Sequence, residues 1–258
     1  MALPPPDPGS TAIVTGASSG IGEQLARQLS ARGHHVTLVA RRRDRLEALA
    51  AELGNATAQA ADLAHEAQRD ELFAAVDRTV EILVNCAGFG VYEPFVESDR
   101  ARELEQVRLL VEAVVDLTHR YLPGMAQRGR GAVINLSSTA GFQPLPYNAG
   151  YAAAKSHVLL LSEGLSGELA GTGVTVTAVC PGPVPTEFQQ TSGAKFGERL
   201  PKVVHASAER VARDALNAAD RGKRVVIPGG PQVRAAFAAN RFFPTAFSLP
   251  VTKRLMKT

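Results

Sequence analysis

The sequence has few of the residues that stabilise small secreted proteins and no segment typical of membrane proteins. It contains two cysteines and no tryptophan in 258 residues, and aromatic residues make up 5% of the chain. Cys86 and Cys180 each end an apolar run without metal-ligand spacing to another cysteine or histidine, so both are expected to be small buried side chains. No stretch reaches the ~18 uninterrupted apolar residues of a membrane span, and the Pro-rich start lacks the features of a signal peptide. These absences argue against a disulfide scaffold and a spanning helix and predict a cytoplasmic protein.

The charge is nearly balanced and gives no indication of a nucleic-acid partner. Lys and Arg number 28 against 25 Asp and Glu, a net charge of +3. The C-terminal tail, residues 231–258, differs because it combines apolar residues with five basic ones and no acid: Arg234, Arg241, Lys253, Arg254 and Lys257. Such tails can contact membrane surfaces. We favour docking of the tail on its own domain or on a second subunit, and we expect a homodimer or homotetramer.

Short apolar runs alternate with amphipathic segments along the chain. The runs predict strands at 12–15, 35–40, 56–60, 82–86, 132–136, 174–179 and 225–227. The segments between them predict helices at 20–32, 44–53, 66–78, 100–127, 150–170 and 208–221. Strands that alternate with helices favour right-handed βαβ units and a parallel sheet. The prediction is a single doubly wound α/β domain of the Rossmann type over residues 1–258, with about seven parallel strands and with residues 1–9 disordered.

A glycine-rich segment follows the first predicted strand and opens the first predicted helix. Thr15–Gly22 has the sequence TGASSGIG, and its three glycines let the backbone approach a phosphate without obstruction by a Cβ atom. The helix that follows offers unpaired N–H groups to an anion. An ordinary strand-to-helix turn has a similar composition, but this position and spacing favour dinucleotide binding. The cofactor-binding candidates in this segment are Gly16, Ser18, Ser19, Gly20, Ile21 and Gly22.

Two arginines follow the second predicted strand, where a carboxylate would hold the ribose 2′-hydroxyl of NAD. Arg41 and Arg42 place positive charge where the 2′-phosphate of NADP would lie, and a guanidinium binds phosphate bidentately. Arginines at the start of a helix also serve as solvated charges, which is what we expect of Arg43 and Arg45. The sequence therefore favours NADP(H) as the cofactor over NAD(H).

Short motifs follow the later strands in a recognisable order: ADL at 61–63, NCAG at 85–88, SS at 137–138, YAAAK at 151–155 and CPGPVPT at 180–186. Together with the glycine-rich segment, they resemble the short-chain dehydrogenase/reductase family in order and spacing from Thr15 to Thr186. The resemblance implies a nicotinamide-dependent oxidoreductase in which Lys155 also grips the nicotinamide ribose. It further implies cofactor contacts from Asp62, Leu63, Asn85, Ala87, Gly88, Tyr151, Pro181, Gly182, Val184 and Thr186. Cys86 stands where the family often has a second Asn.

Tyr151 and Lys155 are four residues apart and share one face of a predicted helix. A phenol titrates near pH ~10, too high for acid–base work at neutral pH. A neighbouring ammonium and a cationic nicotinamide ring favour the phenolate, so the pKa of Tyr151 is expected to be drawn down. Ser138 is placed to donate a hydrogen bond to a substrate oxygen as negative charge builds there. Tyr–Lys pairs occur on many helix surfaces, but the glycine-rich segment makes Ser138, Tyr151 and Lys155 the catalytic candidates.

One family position departs from the pattern. The resemblance implies an Asn on the long helix after the fourth strand, where it helps to hold a water that relays protons to the active-site lysine. Leu110 occupies the matching position, and no Asn occurs between Gly88 and Asn135. Leucine cannot hydrogen-bond a water, and it adds an apolar branch near the cleft. Two interpretations are open: a slowed but working enzyme, which we favour, or an NADP-binding sensor or scaffold protein with little turnover.

The segment 187–205 has the Gly, Gln, Ser and Lys content of a mobile loop, and we predict that it is a substrate lid. Apolar side chains near the motifs are candidates for the substrate pocket, although ordinary packing explains them as readily: Phe89, Tyr92, Phe142, Leu145 and Tyr147. An apolar pocket favours a carbonyl or alcohol substrate on a hydrophobic skeleton. No metal site is expected.

Overall fold

A computed structural model describes residues 3–192, 205–230 and 245–256. In this part of the chain, seven strands form one parallel sheet in the order β3-β2-β1-β4-β5-β6-β7. The strands are β1 Ser10–Thr15, β2 Val36–Ala40, β3 Ala56–Ala60, β4 Thr79–Asn85, β5 Gly131–Leu136, β6 Val174–Val179 and β7 Val225–Val226. The chain moves outward from β1 to β3 and then returns to β4 beside β1, which creates the switch point where such folds bind ligands. The predicted doubly wound fold is confirmed.

The helices flank this sheet. Five of them match predicted helices except at their ends, one predicted helix is divided in two, and the helices at Glu187–Ser192 and Thr245–Met256 were not predicted. The helices are α1 Gly20–Ala31, α2 Arg43–Leu53, α3 Glu66–Ala75, α4 Arg100–Val107, α5 Ala113–Arg128, α6 Ala149–Glu168, α7 Glu187–Ser192, α8 Ala208–Asp220 and α9 Thr245–Met256. A short 3-10 helix lies at Thr139–Phe142. In the described ranges, no helix is long and apolar enough to cross a membrane.

Both faces of the sheet are covered, as continuous apolar strands predict. Successive side chains of a strand point to opposite faces. Ala12 and Val14 accordingly pack in one core cluster, with apolar residues of α1, α2 and α8. Ile13, between them, packs in a second cluster, with apolar residues of α3 and α5. These two layers hold the carboxyl ends of the strands in one rigid edge.

The single helix predicted at 100–127 is interrupted by a π-helical turn, Arg108–Glu112, between α4 and α5. Arg69 of α3, only 2% exposed, ties this turn in place because its guanidinium donates to Glu112 Oε1 at 2.6 Å and to Asp116 Oδ2 at 2.5 Å. A widened turn of this kind is often found at functional sites. Here it carries Leu110.

Residues 3–9 pack against the domain, whereas the sequence analysis predicted disorder for residues 1–9. Leu3 is 7% exposed and belongs to the core cluster of α1 and α8. The amide of Thr79 donates to the carbonyl of Gly9 at 3.1 Å, and Arg130 donates to the carbonyl of Pro5 at 3.0 Å. Burial and these hydrogen bonds order a segment whose Pro-rich composition alone indicated a free end.

Candidate active site

The carboxyl ends of β1, β2, β4, β5 and β6 open on one cavity of about 1000 Å³. It gathers most of the predicted site residues: Gly16, Ser18, Ser19, Gly20, Ile21, Gly22, Arg41, Arg42, Asp62, Leu63, Ala87, Gly88, Ser138, Tyr151, Lys155, Pro181, Gly182, Val184 and Thr186. Asn85 is the exception. It is buried behind the wall, where its amide donates to Asn135 Oδ1 at 2.8 Å and to Thr118 Oγ1 at 3.2 Å. Asn85 therefore ties β4 to β5 rather than facing the cavity.

The glycine-rich segment between β1 and α1 is built for close backbone approach. Gly16 has a φ of 69°, in the left-handed region, and a Cβ there would lie 2.9 Å from the Cα of Ala87. A Cβ on Gly22 would lie 2.3 Å from the carbonyl oxygen of Gly16. Ser19, the N-cap residue of α1, makes no side-chain capping hydrogen bond. The first turn of α1 thus presents its backbone to the cavity, which fits a pyrophosphate.

The end of β2 carries guanidinium groups in two different settings. Arg42 lies over the glycine-rich segment, with its Nη2 at 2.9 Å from both Ser18 Oγ and Ser19 Oγ. Its Nη1 contacts Glu187 Oε2 at 2.7 Å. Arg41 is 62% exposed and lies 3.5 Å from Glu105. Both arginines line the cavity, so guanidinium groups lie where NAD-specific sites of this fold carry a carboxylate.

Ser138, Tyr151 and Lys155 meet at the other end of the cavity. Ser138 follows β5, and the other two lie on the first turns of α6. Ser138 and Tyr151 both line the cavity, and Ser138 favours the ionised form of the phenol. The ammonium of Lys155 lies 5.6 Å from the centroid of the Tyr151 ring and donates to the carbonyl of Leu136 at 2.6 Å. The structure brings together the three residues that the sequence analysis named.

The electrostatics of this trio differ from the expectation for Tyr151. Burial raises the pKa of Tyr151 to about 12, against the opposing effect of Ser138. Burial also lowers the pKa of Lys155 to about 8, because an ammonium loses hydration there as well. In the protein alone, the pKa of Tyr151 therefore lies above its ordinary value; the predicted lowering also depends on the cationic nicotinamide ring. The cavity disfavours both charged forms, so an added positive charge beside the phenol has a large effect.

Leu110 lies close to this trio but outside the cavity. Its side chain is 1% exposed, and the neighbouring Leu109 forms the cavity wall instead. A Cβ on Gly88 would lie 2.7 Å from Leu110 Cδ2 and 4.0 Å from Lys155 Nζ. Leu110 thus fills the space behind Gly88 and next to the ammonium of Lys155. The apolar side chain that we expected near the cleft therefore lies behind the cavity wall and not in the cavity itself.

The lining of the cavity as a whole is more apolar than polar. Among the predicted candidates, Phe89, Tyr92 and Leu145 line it. Phe142 instead packs against the cluster of Leu159 and Cys180. The sequence analysis did not name several of the lining residues, although Phe188 lies in the predicted lid: Leu109, Gln143, Asn148, Phe188, Thr252 and Met256. Tyr147, which has a φ of 65°, is not among the lining residues.

Two further expectations change. Cys86 is partly exposed and lines the cavity, whereas Cys180 is buried as predicted. The start of the predicted lid, Glu187–Ser192, is a helix rather than a loop; residues 193–204 lie outside the described residues. Burial raises the pKa of the Cys86 thiol to about 12, so it is not a reactive thiolate.

The described part of the C-terminal tail docks on its own domain. The hydroxyl of Tyr92 donates to the carbonyl of Met256 at 2.5 Å, and Met256 is 3% exposed. Residues 231–244 lie outside the described ranges. Across the described ranges, no group of three or more His, Cys, Asp or Glu side chains has the arrangement of a metal site.

Comparison with known proteins places this geometry in context. A family model described as short chain dehydrogenase matches residues 10–196. The NADP-dependent 3-hydroxy acid dehydrogenase of Salmonella typhi is 36% identical over 215 residues, which cover 80% of this chain and 86% of the relative. A short-chain dehydrogenase from Sphingobium yanoikuyae, solved in complex with NADPH, superposes with a TM-score of 0.81 at 34% identity, covering 89% of this chain and 91% of that one. The bulky-bulky ketone specific alcohol dehydrogenase of Comamonas testosteroni superposes with a TM-score of 0.76 at 30% identity, covering 89% and 93%.

Proposed function

The chain belongs to the short-chain dehydrogenase family, and on that premise we propose that it is an NADP(H)-dependent oxidoreductase acting on a carbonyl or alcohol of a small hydrophobic substrate. One observation carries the proposal. Ser138, Tyr151 and Lys155 converge at one end of the cavity whose other end holds the glycine-rich segment and Arg42. Proton-transfer groups and a dinucleotide-sized site thus share one space.

Different residues of the cavity would bind different parts of the cofactor. The N-terminal turn of α1 and the serines beside it bind the pyrophosphate, because their donors face the cavity. Arg42 and Arg41 bind the 2′-phosphate. Asp62 and Leu63 flank the adenine, while the segment Pro181–Thr186 borders the nicotinamide. When bound, the nicotinamide ring supplies or accepts the hydride.

Tyr151 moves the proton. In carbonyl reduction its hydroxyl donates the proton to the substrate oxygen, and in alcohol oxidation the phenolate takes it back. Ser138 donates a hydrogen bond to the same oxygen as negative charge builds there. The ammonium of Lys155 favours the phenolate that remains on Tyr151, since opposite charges stabilise each other strongly where water is excluded.

The cofactor preference and the substrate class rest on separate observations. The two guanidiniums at the end of β2 favour NADP(H), as do the NADP named for the Salmonella relative and the NADPH in the Sphingobium structure. The apolar wall of Phe89, Leu145 and Phe188 favours a hydrophobic skeleton on the substrate. A cytoplasmic location and assembly into a homodimer or homotetramer are further parts of the proposal.

A second candidate function has one specific observation in its favour. Leu110 packs behind Gly88, so a water relay of the family's kind would lack a polar side chain at this position. The alternative is a protein that binds NADP(H) as a sensor or scaffold and scarcely turns over. We favour the enzyme because the three groups that contact the reacting atoms are all in place.

Steady-state oxidation of NADPH and of NADH, measured with a panel of ketones and aldehydes, separates these functions. We expect turnover with at least one apolar carbonyl and a kcat/KM that is higher with NADPH. Tight NADPH binding with no turnover above background, in both the wild type and Leu110→Asn, would establish the sensor function instead. Failure to bind either nucleotide would overturn both candidates.

A further inference from the structure

Glu187 connects the segment after β6 to two arginines at the start of α2. It opens α7 directly after the CPGPVPT motif. One carboxylate oxygen lies 2.7 Å from Arg42 Nη1 and the other lies 2.7 Å from Arg45 Nη1. Hydrogen bonds from Arg45 and, to a smaller extent, from Arg42 lower the pKa of Glu187 to about 2. The carboxylate is therefore ionised throughout the neutral range.

Arg42 meets this carboxylate in the part of the cavity that is suited to phosphate. Its Nη2 donates to the hydroxyls of Ser18 and Ser19, each at 2.9 Å, in the glycine-rich segment. A guanidinium binds carboxylates and phosphates through the same planar set of donors. Glu187 therefore supplies the kind of anionic oxygen that the 2′-phosphate of NADP would bring to Arg42.

We propose that the Glu187 carboxylate is an internal competitor for the cofactor's 2′-phosphate at Arg42, and that it thereby sets the affinity for NADP(H). The inference rests on the proposed function. Two anions that share one guanidinium repel each other. The 2′-phosphate must therefore displace Glu187 from Arg42 or bind more weakly. Arg45 keeps a partner for Glu187 after the displacement, so the carboxylate is not left unpaired.

The displacement has a consequence at the catalytic end of the cavity. Phe188 is the next residue, and its ring packs on Tyr151 with the ring centroids 5.6 Å apart and the planes at 51°. Because Glu187 and Phe188 are adjacent in the first turn of α7, a displacement of the carboxylate that moves the backbone of this turn would also shift the aromatic ring. Binding of the 2′-phosphate would thus change the apolar wall beside the phenol before substrate enters.

The test compares dissociation constants for NADPH and NADH in wild type, Glu187→Gln and Glu52→Gln. Glu52 is the matched control, because it is an exposed glutamate held by Arg27 at 2.5 Å and lies outside the cavity. Since exposed ion pairs contribute little to binding or stability, Glu187→Gln should tighten NADPH binding by only about two- to fivefold. NADH binding should stay unchanged in Glu187→Gln, as should binding of both nucleotides in Glu52→Gln.

Equal tightening of NADPH and NADH by Glu187→Gln would overturn the inference, since it would reflect a general charge effect on the pyrophosphate. No tightening of NADPH would overturn it as well. A different result would refute the proposed NADP(H) preference itself. Wild type would then bind NADH as tightly as NADPH, and Arg42→Gln would leave the ratio of the two dissociation constants unchanged.

Hydrogen exchange of the α7 amides tests the link to Phe188 without turnover. Adenosine 2′,5′-bisphosphate should increase exchange at 187–192 in wild type, and adenosine 5′-monophosphate should not. The same change with both nucleotides, or with neither, would contradict a displacement that depends on the 2′-phosphate.

Discussion

At the residue scale, the positions of Leu110 and Lys155 explain why this site differs from the pattern that its motifs lead one to expect. Leu110 occupies the space behind Gly88, and the ammonium of Lys155 turns to the carbonyl of Leu136 instead. A proton relay of the kind that the resemblance implies would therefore lack a polar side chain at position 110. We expect proton supply to Tyr151, rather than hydride transfer, to limit the rate.

Replacing Leu110 with Asn should restore a polar group beside Lys155. We predict that Leu110→Asn raises kcat about tenfold, a modest part of what proton-transfer groups usually contribute. The NADPH dissociation constant should change little, because Leu110 does not line the cavity. The steady-state kinetics of Leu110→Ala provide the control, since alanine opens space without an amide. An equal rise in both variants, or no rise in Leu110→Asn, would exclude the amide relay.

The titration of Tyr151 provides a second prediction at this scale. An ordinary phenol is half ionised at pH ~10, whereas burial holds the pKa of Tyr151 at about 12 in the protein alone. Near-ultraviolet absorbance of wild type minus Tyr151→Phe should therefore show almost no tyrosinate at pH ~10. Saturation with NADP⁺ should produce tyrosinate there, because a cationic ring favours the phenolate.

The raised pKa of Tyr151 also determines how the free energy of unfolding depends on pH. The unfolded chain loses the Tyr151 proton near pH ~10, and the folded chain keeps it up to about 12. Tyr151 therefore makes folding less favourable as pH rises through this window. Tyrosinate from Tyr151 at neutral pH, in the folded protein without cofactor, would contradict the account of its burial.

At the element scale, the turn from β1 into α1 has a tight steric requirement. A Cβ on Gly22 would lie 2.3 Å from the carbonyl oxygen of Gly16. Gly22→Ala should therefore deform the phosphate-facing backbone and weaken NADPH binding at least ~tenfold, or ~1.4 kcal/mol. Isothermal titration measures this directly.

Gly164→Ala is the matched control for Gly22→Ala. Gly164 lies on an exposed face of α6, where an added Cβ meets nothing within 4 Å. This change should leave binding unchanged and stabilise the helix by roughly 0.5–1 kcal/mol. Unweakened binding in Gly22→Ala would show that the clash is relieved without disturbing the phosphate site.

The elements also show where sequence reasoning succeeds. The strands and helices were predictable because each carries its own periodicity of apolar residues, and the motifs follow strand ends in a fixed order. The π-helical turn at Arg108–Glu112 was not predictable from the sequence, because the apolar pattern continues through it. It depends on Arg69, a residue of another helix whose guanidinium grips Glu112 and Asp116.

At the scale of the whole molecule, the sheet order brings segments from across the chain to one edge. This explains why the glycine-rich segment, the arginines and the catalytic trio were assigned to one site from sequence, since parallel strands share their carboxyl ends. Contacts that depend on tertiary docking could not be assigned in the same way. Glu187 on Arg42, Phe188 on Tyr151 and Met256 against Tyr92 have no local signal.

The C-terminal tail gives a prediction at this scale. Met256 is buried and its carbonyl accepts the hydrogen bond from Tyr92, so the tail completes the cavity wall. A chain that ends at Gly230 should have a Tm lower by about 2–4 °C and a higher KM for apolar carbonyls. Differential scanning fluorimetry and steady-state kinetics measure the two effects, with Tyr92→Phe as the smaller perturbation. An unchanged Tm together with lost binding to anionic vesicles would favour the membrane-contact interpretation.

We propose above that Tyr151 transfers the proton in NADPH-dependent carbonyl reduction. NADPH oxidation by wild type and by Tyr151→Phe should be compared with the best ketone or aldehyde of the panel, and NADPH binding should be measured for both proteins. Tyr151→Phe should retain NADPH binding and lose at least ~100-fold in kcat. Turnover by Tyr151→Phe at the wild-type rate, with the cofactor bound, would contradict the account.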